Sequence, residues 1–202
     1  MVEYRHVTVP VRGGKFQVQM VEGGTGDNLI FLHGEDGATE WTPFLDLLAQ
    51  HFHVYAPAHP GQGGSNGLQY LDDLWDLVIF YEELMQELGI DQVHAVGHSY
   101  GGLLAAELAS HRPEKVSRLV LINSLGLWLD DAPIADFFIL TAEERAKMFW
   151  FDAGCEAAKA AFAKPSDPEE KMESDLSRTE TLAAVGKFIW PIPDKGLTKR
   201  IH

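Results

Sequence analysis

The chain has 202 residues, with 16 Lys+Arg against 30 Asp+Glu, a formal charge of −14, 46% hydrophobic residues and a single cysteine. That apolar content supports a sizeable core and excludes a disordered or fibrous chain. The acidic balance excludes nucleic acid and anionic membrane surfaces as partners, Cys155 alone makes neither an internal disulfide nor a thiolate zinc cluster, and no apolar run reaches the roughly 18 residues of a membrane span.

The start, Met1-Val2-Glu3-Tyr4-Arg5, lacks the layout of a secretory signal, so a cytoplasmic location is expected. Arg5 to Val11 and Lys15 to Val21 are β-rich runs joined by Gly13-Gly14 and read as an antiparallel hairpin. Leu29-Ile30-Phe31-Leu32 is apolar without alternation, as in a strand buried on both faces. Thr42 then predicts an N-cap with Pro43 at the first helical position. Phe52 to Ala56 reads as a strand, and the Gly/Pro-rich stretch from Pro57 to Ser65 as loop.

From Tyr70 to Leu88 apolar residues recur at steps of three and four, which predicts a helix with Gly89 as its C-cap candidate. Strands over Val93–Val96 and Val116–Ile122 flank an Ala/Leu-rich helix from Tyr100 to Ser110. Alternating strand and helix from residue 29 to 122 predicts an α/β fold: a mostly parallel sheet with an N-terminal antiparallel hairpin and helices on both faces. Beyond Asn123 no β-rich run appears; aromatics scattered through helix-forming stretches suggest a helical insert, divided near Lys164-Pro165, with Asp167 capping a helix at Pro168.

Gly97-His98-Ser99-Tyr100-Gly101-Gly102 lies between a predicted strand and a predicted helix, the context that a G-x-S-x-G nucleophile elbow requires. The glycines allow a turn too sharp for side chains on either side of the serine, and the helix N-terminus offers free N–H groups where an oxyanion would form. His33-Gly34-Glu35-Asp36-Gly37 follows the buried strand at 29–32, where a His-Gly loop presents a second N–H.

On these residues the sequence resembles the α/β-hydrolases. The resemblance implies a hydrolase core at 1–125, a helical cap at 126–195 and, at 196–202, the start of a connection to two further strands. It makes Ser99 the nucleophile, Tyr100 N–H one oxyanion donor and Glu35 N–H the other, with Asp36 the less favoured substitute. His33, Gly34, Gly97, His98 and Gly101 support that motif. The triad acid and histidine of such enzymes follow the cap, and are therefore expected past His202. The implied activity is hydrolysis of an ester, thioester or similar small neutral carbonyl substrate, without cofactor or metal. A non-catalytic ligand-binding module, or C–C bond hydrolysis and proton-transfer chemistry on the same scaffold, are the alternatives.

Each histidine has a plainer reading. His33 is expected to bond within its loop and His98 to pack, since neighbouring side chains in a tight elbow diverge. His51, His53, His94 and His111 fall on helix ends or strands, His202 is terminal, and His59 alone sits on a loop that borders the pocket in this fold. The acidic residues Asp72, Asp73, Glu82, Glu83 and Glu87 read as the solvated face of a helix, Asp130-Asp131 as leading into a helix near Pro133, and Cys155 as a small buried hydrophobe. Leu119 to Ile122 would be an exposed edge strand unless more chain or a second copy pairs with it.

Overall fold

Why the strands bury both faces is visible in their alternation. The computed structural model describes residues 2–35, 37, 40–163, 165–190 and 194–201. Its sheet contains β1 (Tyr4–Val11), β2 (Phe16–Gly23), β3 (Asp27–Leu32), β4 (Phe52–Pro57), β5 (Val93–His98) and β6 (Val116–Ile122), in the spatial order β1-β2-β4-β3-β5-β6. β1–β2 and β2–β4 are antiparallel, whereas β4–β3, β3–β5 and β5–β6 are parallel. Ile30, Leu32, Val93 and Ala95 enter one core, beneath α2 (Leu74–Glu87) and α3 (Tyr100–His111). Leu29, Phe31 and Val96 turn the other way, towards α1 (Pro43–Leu48). The mixed α/β sheet with helices on both faces is as the sequence predicts.

Local signals set most boundaries. Thr42 caps α1 by accepting from Leu45 N–H, with Pro43 at its start. The long helix opens later than its periodicity suggests: Leu68–Tyr70 is a 3-10 turn, and Asp73 caps α2 by accepting from the N–H groups of Trp75 and Asp76. An N-cap carboxylate outweighs an apolar stripe in fixing where the first turn closes. At the other end Gly89, at φ 67°, closes a Schellman motif through Gly89 N–H to Gln86 O and Ile90 N–H to Met85 O. Two acidic residues of this face are also tied: Glu82 to Arg112 at 2.8 Å and Glu83 to Arg12 at 2.8 Å.

Three helices follow β6: α4 (Ala142–Phe149), α5 (Glu156–Ala161) and α6 (Pro168–Ile189). No helix starts near Pro133; a Thr141–Glu144 capping box delays it to Ala142. Cys155 is only partly buried and caps α5 through Sγ, 3.4 Å from Ala158 N, so its polarity is used rather than its apolarity. Asp167 caps α6 at Pro168 as expected, whereas Lys164 lies outside the described residues. The chain then returns to the core: Leu197 is buried, and Arg200 pairs with the buried Glu107 of α3 at 2.5 Å while lying over the Trp75 ring. β6 is an edge of the sheet, with Leu119, Val120 and Leu121 exposed. Among the described residues no helix is long and apolar enough to cross a membrane.

Candidate active site

Parallel strands end together, so β3 and β5, paired from Leu29↔His94 to Leu32↔Gly97, deliver the His33 loop and Ser99 to the same edge of the sheet. At Ser99 the chain turns from strand to helix with φ 50° and ψ −114°, a left-handed conformation that L-residues adopt only under constraint. The constraint is visible: Ser99 N–H donates to Ile122 O at 2.9 Å, and its carbonyl accepts from Gly102, Leu103 and Leu125 N–H. The hydroxyl has no hydrogen-bond partner among the described residues. Tyr100 is the first residue of α3, so its N–H is one of the amides a helix start leaves unpaired.

The glycines of the motif are required by contact distance. A Cβ on Gly97 would lie 2.4 Å from Gly101 O, one on Gly101 2.1 Å from Leu32 O and 2.3 Å from His33 O, and one on Gly102 2.5 Å from Ser124 Oγ. Gly101→Ala should therefore push α3 away from the end of β3 and lower stability by roughly 2–3 kcal/mol. A urea denaturation midpoint unchanged from the parent protein would contradict this.

His33, Gly34 and Glu35 form the loop beside the elbow. Gly37 N–H donates to Gly34 O at 3.2 Å and closes the turn; Asp36, the substitute donor considered from sequence, lies outside the described residues. Gly34 has no Cβ because the His98 ring occupies that space, 2.8 Å from where one would stand. This differs from the sequence expectation for His98, which is half-buried and borders the same cavity as Ser99, since the glycine opposite gives its ring room to lean there. Glu35 is buried with one carboxylate oxygen lacking a protein partner.

Above Ser99 lies a cavity of about 1050 Å³. Its floor is Glu35, His98, Ser99 and the turn at Asn123–Leu125; Phe137, Phe149, Trp150 and Phe162 from the segment after β6 supply apolar walls. Arg145 of α4, which is buried and lies 5.5 Å from the Phe162 ring, and Arg178 of α6 bring cationic groups to the same space, which Asp175 of α6 lines as well. Sequence reasoning missed both arginines. The available signal was Arg145 interrupting the inner face of a short amphipathic helix.

His59 does not border this cavity. It is buried beneath the loop, its Nε2 2.9 Å from His33 O, its Nδ1 against the Tyr81 hydroxyl and its N–H 3.3 Å from His33 Nε2. The loop that carries His59 thus keeps its ring in the core rather than at the cavity. Burial drives the His33 imidazole down to about 4, only partly offset by its bond to Gly34 O and reinforced by His98. Burial likewise holds His59 well below its ordinary value and pushes the Tyr81 and Tyr100 hydroxyls up. His51, His53, His94 and His111 stand away from the cavity, and His202 lies outside the described residues.

A family model described as "alpha/beta hydrolase fold" matches residues 27–183. The chain is 36% identical over 106 residues to the dihydrolipoyllysine-residue acetyltransferase component of the acetoin cleaving system of Cupriavidus necator, covering 52% of this chain and 28% of that protein. It is 31% identical over 105 residues to (E)-2-((N-methylformamido)methylene)succinate hydrolase of Acinetobacter baylyi, covering 52% of this chain and 40% of that one. The match thus spans less than half the length of each of these curated relatives. Among solved structures, 2-hydroxy-6-oxo-6-phenylhexa-2,4-dienoate hydrolase from a Rhodococcus strain superposes with a TM-score of 0.63 at 22% identity, covering 100% of this chain and 76% of that one.

Proposed function

The chain belongs to the α/β-hydrolase fold family, and from that premise we propose that it carries the nucleophile half of a serine hydrolase acting on an ester, thioester or similar small carbonyl substrate. The observation that carries this reading is Ser99, held at positive φ on the strand-to-helix turn at the floor of a 1050 Å³ cavity. In this reading Ser99 Oγ attacks the carbonyl carbon, and the N–H groups of Tyr100 and Glu35 stabilise the oxyanion of the tetrahedral intermediate. Collapse expels the leaving group and leaves an acyl-enzyme, which water hydrolyses. The acid and base that move the protons come, in the same reading, from chain beyond residue 202. Residues 126–195 act as the cap that roofs the acyl pocket, and the exposed edge of β6 pairs with that further chain or with a second copy.

A second reading is favoured by Arg145 and Arg178 in the cavity, which suit a carboxylate-bearing substrate better than a neutral one. The names of two relatives, a succinate hydrolase and a dienoate hydrolase, point the same way. Here the oxyanion site holds a ketone oxygen while water's hydroxyl adds to the carbonyl carbon, the C–C bond breaks, and the departing carbon takes up a proton, giving a carboxylic acid and a C–H product. The experiment that tests the first reading is labelling of the full-length natural protein with a fluorophosphonate. The peptide containing Ser99 is expected to gain the phosphonyl mass, and label found elsewhere, or none, would refute the assignment.

A further inference from the structure

Beneath the oxyanion loop, three buried side chains form a closed hydrogen-bond chain that the reaction above does not use: Tyr81 of α2, His59 and His33. Their proton positions follow from which partners can only accept. His59 Nε2 faces the His33 carbonyl at 2.9 Å, so Nε2 carries the hydrogen; Nδ1 is then an acceptor and Tyr81 O–H donates to it. His33 Nδ1 faces the Gly34 carbonyl at 2.8 Å, so it carries the hydrogen, and Nε2 accepts from His59 N–H. The two rings, with centroids 3.8 Å apart, are thus held as opposite neutral tautomers.

This clasp fixes a peptide plane that matters. The Gly34 carbonyl is gripped from two sides, by His33 Nδ1–H and by Gly37 N–H. Gly34 C=O and Glu35 N–H belong to one planar trans peptide and point in opposite directions. Holding the carbonyl down towards the core therefore holds the Glu35 N–H up, and a flipped plane would present an oxygen where a donor is needed. Gly34, lacking a Cβ, would otherwise rotate more freely than any other residue in the loop.

We propose that Tyr81 and His59 are positioning residues for the oxyanion donor at Glu35: the tyrosine hydroxyl anchors the His59 ring, whose Nε2–H holds the His33 carbonyl and with it the loop in its donating orientation. The proposal rests on the serine-hydrolase reading of Ser99 and deepens it. Tyr81 sits in the core cluster with α2 and touches no reacting atom. Without that hydroxyl, Nδ1 of His59 is left buried without its partner, and the ring that donates to the His33 carbonyl is no longer anchored.

The test compares the full-length natural protein with Tyr81→Phe and Tyr81→Phe/His59→Gln, reading histidine tautomers by 15N NMR and the rate of Ser99 phosphonylation by a fluorophosphonate. The unmodified protein is expected to show Nε2–H on His59 and Nδ1–H on His33. Tyr81→Phe should keep Nε2–H on His59, whose carbonyl partner is unchanged, and slow phosphonylation about tenfold as the ring loses its anchor, less than outright loss of an oxyanion donor because the correct plane is still sampled. Ester KM should stay within about twofold, since ground-state binding does not use the oxyanion. Glutamine at 59 can still donate to the His33 carbonyl and leaves no ring nitrogen in need of the tyrosine hydroxyl, so the double variant should recover most of the lost rate. Labelling that is normal in the parent and unaffected in Tyr81→Phe would overturn the clasp, as would Nδ1–H on His59 in the parent or a double variant no faster than Tyr81→Phe. A parent protein whose Ser99 never labels would instead overturn the hydrolase reading and, with it, the catalytic role assigned here.

Discussion

Replacing Ser99 with alanine is expected to lower ester turnover by the full-length natural protein by a factor on the order of 10⁵ or more, with stability nearly unchanged. Removing the nucleophile leaves only what binding and the oxyanion site supply, roughly 10³–10⁴ over the uncatalysed reaction. The backbone explains why stability is spared: alanine keeps the Cβ, so the cost of φ 50° at position 99 is the same before and after. Ser99→Gly separates the two roles, because it removes both the hydroxyl and the steric penalty. It should be as inactive as the alanine variant yet more stable by about 1 kcal/mol. Steady-state kinetics with an activated ester and urea denaturation of the three proteins check this. An alanine variant that keeps a tenth of parental turnover would remove Ser99 from the chemistry. A glycine variant less stable than the parent would mean the elbow is not strained.

Stability is expected to fall by on the order of 3 kcal/mol through the His33 site as pH drops from above 6.5 to about 4. His33 is buried as a neutral ring, with His98 of β5 and His59 facing it and Tyr81 and Tyr100 packed behind His59. The sign follows from which state takes the proton first. Above pH 6.5 both states are neutral and the full stability is present. Below it the unfolded chain protonates while the folded ring does not, so the equilibrium moves towards unfolding until the folded value near 4 is reached. His59, also depressed by burial, adds to the loss in the same direction. Urea denaturation at intervals between pH 7 and 5 reads the slope before the carboxylates begin to titrate. His33→Gln should flatten it, and a parent protein equally stable at both ends of that range would contradict the buried neutral pair.

Much of the fold is local physics and is legible in residue order. Thr42-Pro43 and Asp167-Pro168 start helices because a capping oxygen and a preset φ act within one turn, and Gly89 ends one because αL is open to glycine. The unbroken apolar run Leu29-Ile30-Phe31-Leu32, whose successive side chains point to opposite faces, places a strand between two cores. Where local signals competed, the closer one won, as when Asp73 moved the start of α2 and the Thr141–Glu144 box moved that of α4. The elbow residues were legible for a different reason. Gly97 and Gly101 are demanded by backbone contacts that any strand-turn-helix of this sharpness makes.

The chain by itself determined the elements, the motif and the expectation of chemistry at Ser99. Only the tertiary structure decided what lies around it. His59 and Tyr81 stand 22 residues apart and meet beneath a loop that starts 26 residues before His59. Nothing in the spacing of these residues shows that a loop after β3, a loop after β4 and a turn of α2 converge, because strand order in the sheet is not strand order in the chain. The same holds for Arg145 and Arg178, which reach the Ser99 cavity from helices that come after β6. Backbone hydrogen bonding and caps act over a few residues, so sequence carries them openly. Proton positions, buried tautomers and the charge of a pocket depend on groups brought together from distant segments, and these are fixed only when the layers pack.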